Sequence, residues 1–169
     1  MDLLKIIENR YSLRDYSDKK IEKEKLDAIL NAFRAAPSAK NLQPCKVIAV
    51  TEEKSLEKLR GAAKNAFNAP AVLVICVSRE DAWERKDGWS SAETDAAIAC
   101  DHMMLMAASL DIGSVWVCAF NKEKVREALD IDEKYTPISL LPLGYPGENG
   151  APAEWHYCRK ELSDIVDYM

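Results

Sequence analysis

The sequence predicts an α+β fold in which a central, mostly antiparallel or mixed sheet is flanked by helices. Two observations support this prediction. Short apolar runs of strand character are separated by segments whose apolar residues recur with helical spacing, and the helices cluster before and between single strands instead of alternating strictly with them. The length of 169 residues, with no linker, repeat or low-complexity tract, predicts a single domain over residues 1–169.

The first half of the chain is predicted to contain three helices and two strands. Apolar residues at 3–7 predict a short first helix, and similar spacing predicts helices at about 22–35 and 55–64. The β-branched run at 46–50 predicts a strand. The run "AVLVICV" at 71–77 is apolar on both faces, which is typical of a central, buried strand.

A long helix at about 91–110 is predicted to be buried, because it is apolar on nearly all sides. Ser90 precedes Glu93 by three residues, which is the spacing of a capping box. Gly113 suits the C-terminal stop of this helix.

The remainder of the chain is predicted to add two strands and one helix. The strands are expected at 114–120 and 138–144, and Asn121 is expected to cap a helix at about 122–129. Pro142 lies inside the last strand and therefore predicts an edge position or a bulge.

Composition excludes several classes of function. A net charge of -5 and a pI near 5.2 argue against nucleic-acid binding, which needs a dominant basic face, so any bound anion must be held by a local cluster. We find no signal peptide and no apolar stretch of the ~18 residues that a membrane span needs. The five cysteines show neither CxxC nor a Cys/His metal spacing, which predicts no metal site and a reducing, cytoplasmic location. The three cysteines in apolar runs are predicted to be buried thiols.

The common catalytic signatures are missing from the sequence, which contains no GxGxxG, P-loop, GxSxG or HExxH motif. His102 falls in the predicted buried helix and is expected to be a core or interface residue, whereas His156 falls in a polar loop and is expected to be solvated. No acid/base pair stands out. We therefore expect no catalytic side chain, and an enzyme of this sequence would rely on a cofactor for its chemistry.

Three segments could bind a ligand. "RYSLR" (10–14) offers two guanidinium groups and a hydroxyl, which suit a phosphate if a helical turn brings both arginines to one side; otherwise it is a charged helix end. "APSAKNLQP" (36–44) carries amides that could read the edge of a heterocycle, or it is an ordinary loop. Gly113 and Gly144, at strand ends, allow close backbone approach or serve as turn residues.

Taken in order, these segments resemble the FMN-dependent nitroreductase family. The chain shows a helix, "RYSLRDY", a helix, "APSAKNLQP", a strand, an "AP" strand, a long apolar helix, "GSVWV" and "LGYP", and the resemblance covers essentially the whole chain. It implies an α+β homodimer with FMN in clefts at the dimer interface, each lined by residues of both subunits. The chain would be a short member of the family.

The resemblance also implies which residues contact FMN. Those expected at the phosphate and ribityl chain are Arg10, Tyr11, Ser12, Arg14, Arg159 and Lys160, with Gly144 allowing backbone approach at the phosphate end. Those expected to pack on the flavin from the partner subunit are Pro37, Ser38 and Ala39, with Asn41 and Gln43 nearby. Those expected along the ring are Val117, Cys118 and Ala119, whose N–H can meet the flavin N5, with Asn65 at the pyrimidine edge and Lys64 near N1.

The function implied by the resemblance is an NAD(P)H oxidoreductase that reduces nitroaromatic or quinone-type acceptors. NADH or NADPH would reduce FMN and leave, and a small-molecule acceptor would take the electrons at the same place in a ping-pong cycle. Hydride transfer through a flavin needs no side-chain nucleophile, which agrees with the missing signatures. The alternatives are other flavin chemistry on the same fold, such as reductive dehalogenation or flavin fragmentation, and a non-enzymatic FMN-binding redox sensor.

The sequence departs from the family pattern at three places. Cys45 follows Gln43-Pro44 where the family often has Trp, and "CDH" (100–102) stands where an amide pair is common. The connection at 78–89 is short where longer members insert helices that cover the flavin. We expect Trp83 or Trp89 to line the mouth of the cleft instead, the alternative being surface aromatics packed on a neighbouring helix.

Overall fold

The centre of the molecule is an antiparallel sheet, seen in a computed structural model that describes residues 2–169. Within these residues the sheet has four strands, in the order β1-β2-β4-β3. They are β1 (Cys45–Val50), β2 (Ala71–Val77), β3 (Gly113–Ser114) and β4 (Thr136–Gly144). Every residue of β2 is buried, which confirms the prediction from its continuous apolar run.

Helices cover both faces of the sheet. Those of the described residues are α1 (Leu3–Asn9), α2 (Lys23–Ala35), α3 (Glu53–Ala62), α4 (Ala92–Ser109) and α5 (Lys122–Ala128), and 3-10 turns occur at Ala39–Asn41, Lys64–Ala66, Glu154–Tyr157 and Leu162–Asp164. Helices α2 and α4 pack against each other, as do α3 and α5. None of the helices described over residues 2–169 is long and apolar enough to span a membrane.

Strand β2 divides the interior into two cores, because alternate side chains of a strand point to opposite faces. Leu73 and Ile75 pack with the buried residues of α2 and α4. Val72 and Val74 pack with those of α3 and α5. The predicted α+β class is therefore confirmed, and every strand pair is antiparallel.

The residues that begin and end α4 differ from those predicted. The N-cap is Ser91, and the Glu93 side chain pairs with Arg79, so the capping box predicted from Ser90 and Glu93 is wrong. The carboxylate that Ser91 contacts is instead that of Asp95. At the other end the left-handed residue is Asp111, with φ of 59°.

Gly113 lies within β3 and is not the predicted helix stop. A Cβ at this position would lie 2.2 Å from Cδ2 of Leu13, a fully buried side chain. The glycine is therefore needed for the close approach of the N-terminal segment to β3.

The strand predicted at 114–120 is wrong over most of its length. Regular pairing with β4 stops at Ser114. Beyond it, the Val115 N–H donates to the Pro142 carbonyl, and Val117 forms an isolated antiparallel bridge with Leu140. A turn closed by the bond from the Phe120 N–H to the Cys118 carbonyl bends the chain away from the sheet. Cys118 is exposed, continuing an alternation in which Val115 and Val117 are buried and Trp116 is exposed.

Pro142 marks neither an edge strand nor a bulge, since β4 has neighbours on both sides and the register shift falls between Ile75 and Cys76. Its carbonyl accepts the Val115 N–H at 3.3 Å. In an antiparallel strand the N–H and C=O of one residue point to the same side. The missing N–H therefore faces Val115, so the return bond to the Val115 carbonyl is absent and the pairing of β4 with the chain after β3 is interrupted there.

A polar cluster fastens the start of α2 to the end of the sheet. The Tyr145 hydroxyl donates to Glu22 Oε2 at 2.5 Å, and Lys19 Nζ lies 3.1 Å from Glu22 Oε1. Lys25 Nζ donates to the Tyr145 hydroxyl at 3.0 Å and to the Leu110 carbonyl at 2.9 Å. The hydrogen bond from Tyr145 is the largest cause that lowers the pKa of Glu22, to about 2.

We predict that Leu73→Ala lowers the free energy of unfolding by about 2–5 kcal/mol, because it leaves a cavity in a fully buried strand. Urea denaturation would measure the change. Leu73→Met, which conserves volume, is the control and should cost less than about 1.5 kcal/mol. Equal losses in the two variants would contradict the close packing of β2.

We also predict that the Glu22 contact contributes stability above the ordinary glutamate pKa of 4.5 and loses it as the pH falls towards 2. The sign follows because the folded state holds the pKa of Glu22 below that of the unfolded chain. Thermal unfolding of Glu22→Gln and Tyr145→Phe, measured across this pH range, should therefore show a shallower fall in Tm than the wild-type protein. Parallel pH profiles in all three proteins would contradict the contact.

Candidate functional site

The segment that follows α1 is not helical. No helical turn therefore brings the two arginines of "RYSLR" to one side. Ser12 forms a parallel bridge with Ser114, and the Leu13 N–H donates to the Ser114 carbonyl at 2.9 Å. Residues 10–14 thus add an outer strand-like segment beside β3. Leu13 is buried in the core, Arg14 is exposed with its Nη1 donating to the Ser12 carbonyl at 3.3 Å, and Arg10 is the C-cap of α1.

Asn68 fixes the far end of this segment, and sequence reasoning missed it. Its Oδ1 accepts the Tyr16 N–H at 3.1 Å, and its Nδ2 donates to the Tyr16 carbonyl at 2.7 Å. The Tyr16 hydroxyl is buried and lies 2.8 Å from the Leu13 carbonyl and 3.2 Å from that of Pro142. Burial raises the pKa of Tyr16 above its ordinary value. The segment is therefore rigidly held on its inner side.

The C-terminal tail lies over the same segment. The Tyr11 hydroxyl donates to the Gly150 carbonyl at 2.7 Å, and its ring centroid lies 6.2 Å from that of His156. The Arg14 guanidinium lies 6.0 Å from the centre of the Trp155 ring. His156 is half-buried here, so the prediction that it is solvated is wrong.

A groove of about 580 Å³ runs between α1, the middle of α4 and the tail. It is lined by Arg10 and Arg159 together with Asp101, Leu105 and His156. The structure thus brings two of the predicted phosphate contacts into one groove. Lys160 follows Arg159 on the exposed tail.

Asn65 supports the segment that is predicted to pass the flavin ring. Asn65 Nδ2 donates to the Ala119 carbonyl at 2.9 Å, and Val117 is bonded to Leu140 through its N–H and its carbonyl, both at 2.9 Å. Ala119 is exposed, and among residues 2–169 its N–H donates no hydrogen bond. An exposed, rigidly placed N–H is therefore free to bind an acceptor atom of a ligand.

The loop at 36–44 lies at the other edge of the sheet, where it leads into β1. Ser12 is separated from β1 by four strand spacings of about 4.8 Å, or about 19 Å in all. The two most specific motifs of the sequence are therefore not brought together within one chain. Gln43 Nε2 donates to the Asn41 carbonyl at 3.1 Å, so this amide nitrogen serves the loop itself.

Gly144 is explained by packing. A Cβ there would lie 2.7 Å from Pro70 Cδ and 2.9 Å from Tyr16 Cδ1. Its approach to a phosphate stays a prediction. Lys64 is exposed beside Asn65 in a short 3-10 turn.

The prediction of buried thiols is confirmed for two cysteines and wrong for a third. Cys76 and Cys100 are fully buried, and burial raises the pKa of each to about 12. Cys118 is exposed, on the same outward-facing side of its segment as Trp116. Cys45 is half-buried, and burial followed by the Asp95 charge raises its pKa to about 11.

His102 is exposed on α4, with Nδ1 3.0 Å from the Ile98 carbonyl, so its placement in the core of this chain is wrong. Trp83 and Trp89 form an edge-to-face pair with centroids 6.2 Å apart. Lys40 Nζ, from the loop at 36–44, lies 5.7 Å from the Trp83 ring centre. The tryptophan pair thus lies beside that loop, and its place at a cleft mouth stays a prediction.

Comparison with known proteins identifies the family. The profile of the Nitroreductase family matches residues 7–68 and 60–145. A crystal structure of a nitroreductase family protein from Clostridium difficile 630 is 38% identical, with a TM-score of 0.92 over 99% of this chain and 98% of that chain. This chain belongs to the nitroreductase family, as the motif order predicted.

Two further relatives carry names that describe an activity. A protein of Archaeoglobus fulgidus, named provisionally as an NADH dehydrogenase/NAD(P)H nitroreductase, is 36% identical over 86% of this chain and 86% of its own length. A structure described as an FMN-dependent nitroreductase from Clostridium difficile R20291 is 29% identical, with a TM-score of 0.79 over 98% of each chain.

Proposed function

We propose that this protein is an FMN-dependent NAD(P)H oxidoreductase that reduces nitroaromatic or quinone-type acceptors with ping-pong kinetics. Family membership supports the oxidoreductase class, and the names of its relatives support FMN and NAD(P)H. The observation that carries the proposal is that Arg10 and Arg159 line one groove next to the segment that pairs with β3, while the chain that follows β3 presents the free N–H of Ala119. When bound there, FMN would take a hydride from NAD(P)H and deliver electrons to the acceptor.

The residues present fit the phosphate end of FMN. Arg10 and Arg159 line one groove, and Arg14 is exposed on the segment that pairs with β3 at Ser12. Guanidinium groups make charge-assisted, bidentate bonds to phosphate, and a hydroxyl adds a further donor. In a protein of net charge -5, this local cluster would supply the attraction for the anion.

The residues also fit the ring end. The free N–H of Ala119 would donate to the flavin N5, and the Asn65 bond to the Ala119 carbonyl would hold that peptide in place. Asn65 Oδ1 is left to accept from the pyrimidine edge. No side chain needs to act as a nucleophile, because orientation of the ring and control of access are what the protein must provide.

We propose that a second copy of this chain completes each site. Strand β1, into which the loop at 36–44 leads, lies about 19 Å across the sheet from Ser12, so within one chain the loop is too distant to pack on a flavin bound beside Ser12. Helix α1 has no buried residue, and Leu3 and Leu4 are 61% and 59% exposed. The tail adds the exposed side chains of Leu162 and Ile165. Such apolar surface beside the groove suits a homodimer interface.

We predict that Arg14→Ala weakens FMN binding by about tenfold or more, because a charged partner of the phosphate is lost. Titration of apo-protein with FMN, followed by quenching of flavin fluorescence, would measure the change. Arg126→Ala is the control, since Arg126 pairs with Glu123 on α5 away from the groove. Equal FMN affinities in the two variants would contradict the phosphate cluster.

We predict that the FMN-loaded protein is yellow and bleaches under anaerobic addition of NADH or NADPH, and that a nitroaromatic or a quinone restores the colour. Initial rates should give parallel double-reciprocal lines for donor and acceptor. A yellow protein inert to both nicotinamides would favour the redox-sensor alternative. A protein that takes up no FMN would contradict every flavin-based function.

A further inference from the structure

Asp95 is a buried carboxylate that the proposed chemistry does not use. It lies in the first turn of α4, is 3% exposed, and forms no ion pair among residues 2–169. Its Oδ1 accepts the Ala39 N–H at 3.0 Å, and its Oδ2 accepts the Ser91 hydroxyl at 2.8 Å. A buried charge is costly unless it is hydrogen-bonded, so these two donors determine where the carboxylate can lie.

The loop that Asp95 contacts has an unfavourable backbone conformation at three residues. Lys40, Asn41 and Gln43 have φ values of 51°, 57° and 53°, in the left-handed region that residues with a Cβ avoid. The bonds inside the loop link Asn41 N–H to the Ser38 carbonyl at 2.9 Å and Gln43 N–H to Ser38 Oγ at 3.0 Å. They preserve the shape of the loop but do not attach it to the body of the protein.

The attachment to the body comes from Asp95. Among residues 2–169, the bond from the Ala39 N–H to Asp95 is the one hydrogen bond that joins residues 38–43 to the rest of the chain. The space beneath the loop is a cavity of about 180 Å³, lined by Pro37, Cys45 and Asp95 among others. The Ala39–Asp95 hydrogen bond is therefore the direct polar link between the loop and α4 on this side of the cavity.

We propose that Asp95 is a positioning residue that holds Ala39, and with it Pro37 and Ser38, at the height needed to pack on the flavin of the partner subunit. This inference rests on the proposed function. The inference depends on the two hydrogen bonds that Asp95 accepts and does not require the negative charge of Asp95. An asparagine could accept from the Ala39 N–H and donate to Ser91 Oγ, whose hydroxyl can rotate, whereas alanine can do neither.

The test compares Asp95→Asn and Asp95→Ala by FMN titration of the apo-proteins. We expect Asp95→Asn to bind FMN within about threefold of wild type and Asp95→Ala to bind it about tenfold or more weakly, because only alanine leaves the half-buried Ala39 N–H without its partner. The absorbance spectrum of flavin bound to Asp95→Ala should also shift towards that of free FMN. Glu93→Ala, in the same turn of α4 but paired with Arg79, is the control and should bind as wild type.

The outcomes separate this inference from the function on which it rests. Wild-type protein that takes up no FMN would contradict both. If the wild-type protein binds FMN and Asp95→Ala binds it with unchanged affinity, the inference alone is overturned. Equal losses of FMN affinity in Asp95→Asn and Asp95→Ala would also overturn it, because the negative charge of Asp95 would then be the important property. If Asp95→Ala does not fold, Ser91→Ala provides a second test, because it removes the hydrogen bond from Ser91 to Asp95. Ser91→Ala should weaken FMN binding about threefold, and an unchanged affinity would overturn the inference.

A mixed dimer tests whether Asp95 acts across the interface. Arg14→Ala chains and Asp95→Ala chains, carrying different tags, would be co-expressed and the mixed dimers isolated. If Asp95 serves the partner's site, one site of each dimer carries both defects and the other carries neither, so half of the sites should bind FMN with wild-type affinity. If Asp95 serves its own chain's site, every site has one defect, and the absence of any wild-type site would overturn the proposal.

Discussion

The strand order β1-β2-β4-β3 is the constraint on which the rest of this structure depends. It places the loop at 36–44 before one edge strand and the arginine segment at 10–14 beside the other. Both motifs point to one cofactor, yet the width of a single sheet keeps them apart. In the proposed homodimer, pairing with a second chain would join the two halves, and the exposed apolar side chains of α1 would contribute to the interface.

Side chains that hydrogen-bond to the backbone of distant segments hold both halves in place. Asn68 forms two bonds to Tyr16, Asn65 bonds to Ala119, and Asp95 bonds to Ala39. None of these bonds lies inside a helix or a strand ladder. The sheet and helices supply the free energy of folding through their two apolar cores, whereas these few polar contacts decide the local geometry of the candidate site.

The sequence was sufficient to predict those parts of the fold that depend on local periodicity. Helices α2 and α4 lie within two residues of their predicted bounds, and the apolar run of β2 correctly indicated a central strand. Where tertiary pairing decides conformation, prediction failed: residues 10–14 are extended because they pair with β3. Gly113 could not be interpreted locally either, since the atom it would meet belongs to Leu13. The site residues that were missed act over long sequence separations, 52 residues from Asn68 to Tyr16 and 56 from Asp95 to Ala39.

The left-handed residues Lys40, Asn41 and Gln43 have a consequence for how the protein responds to heat. Their conformations are unfavourable in isolation and persist only while the surroundings enforce them. A segment held by one hydrogen bond above a cavity opens at a lower free-energy cost than the two cores do. We therefore expect the loop to lose its shape at a temperature below that at which the chain unfolds, so that thermal inactivation would precede global unfolding.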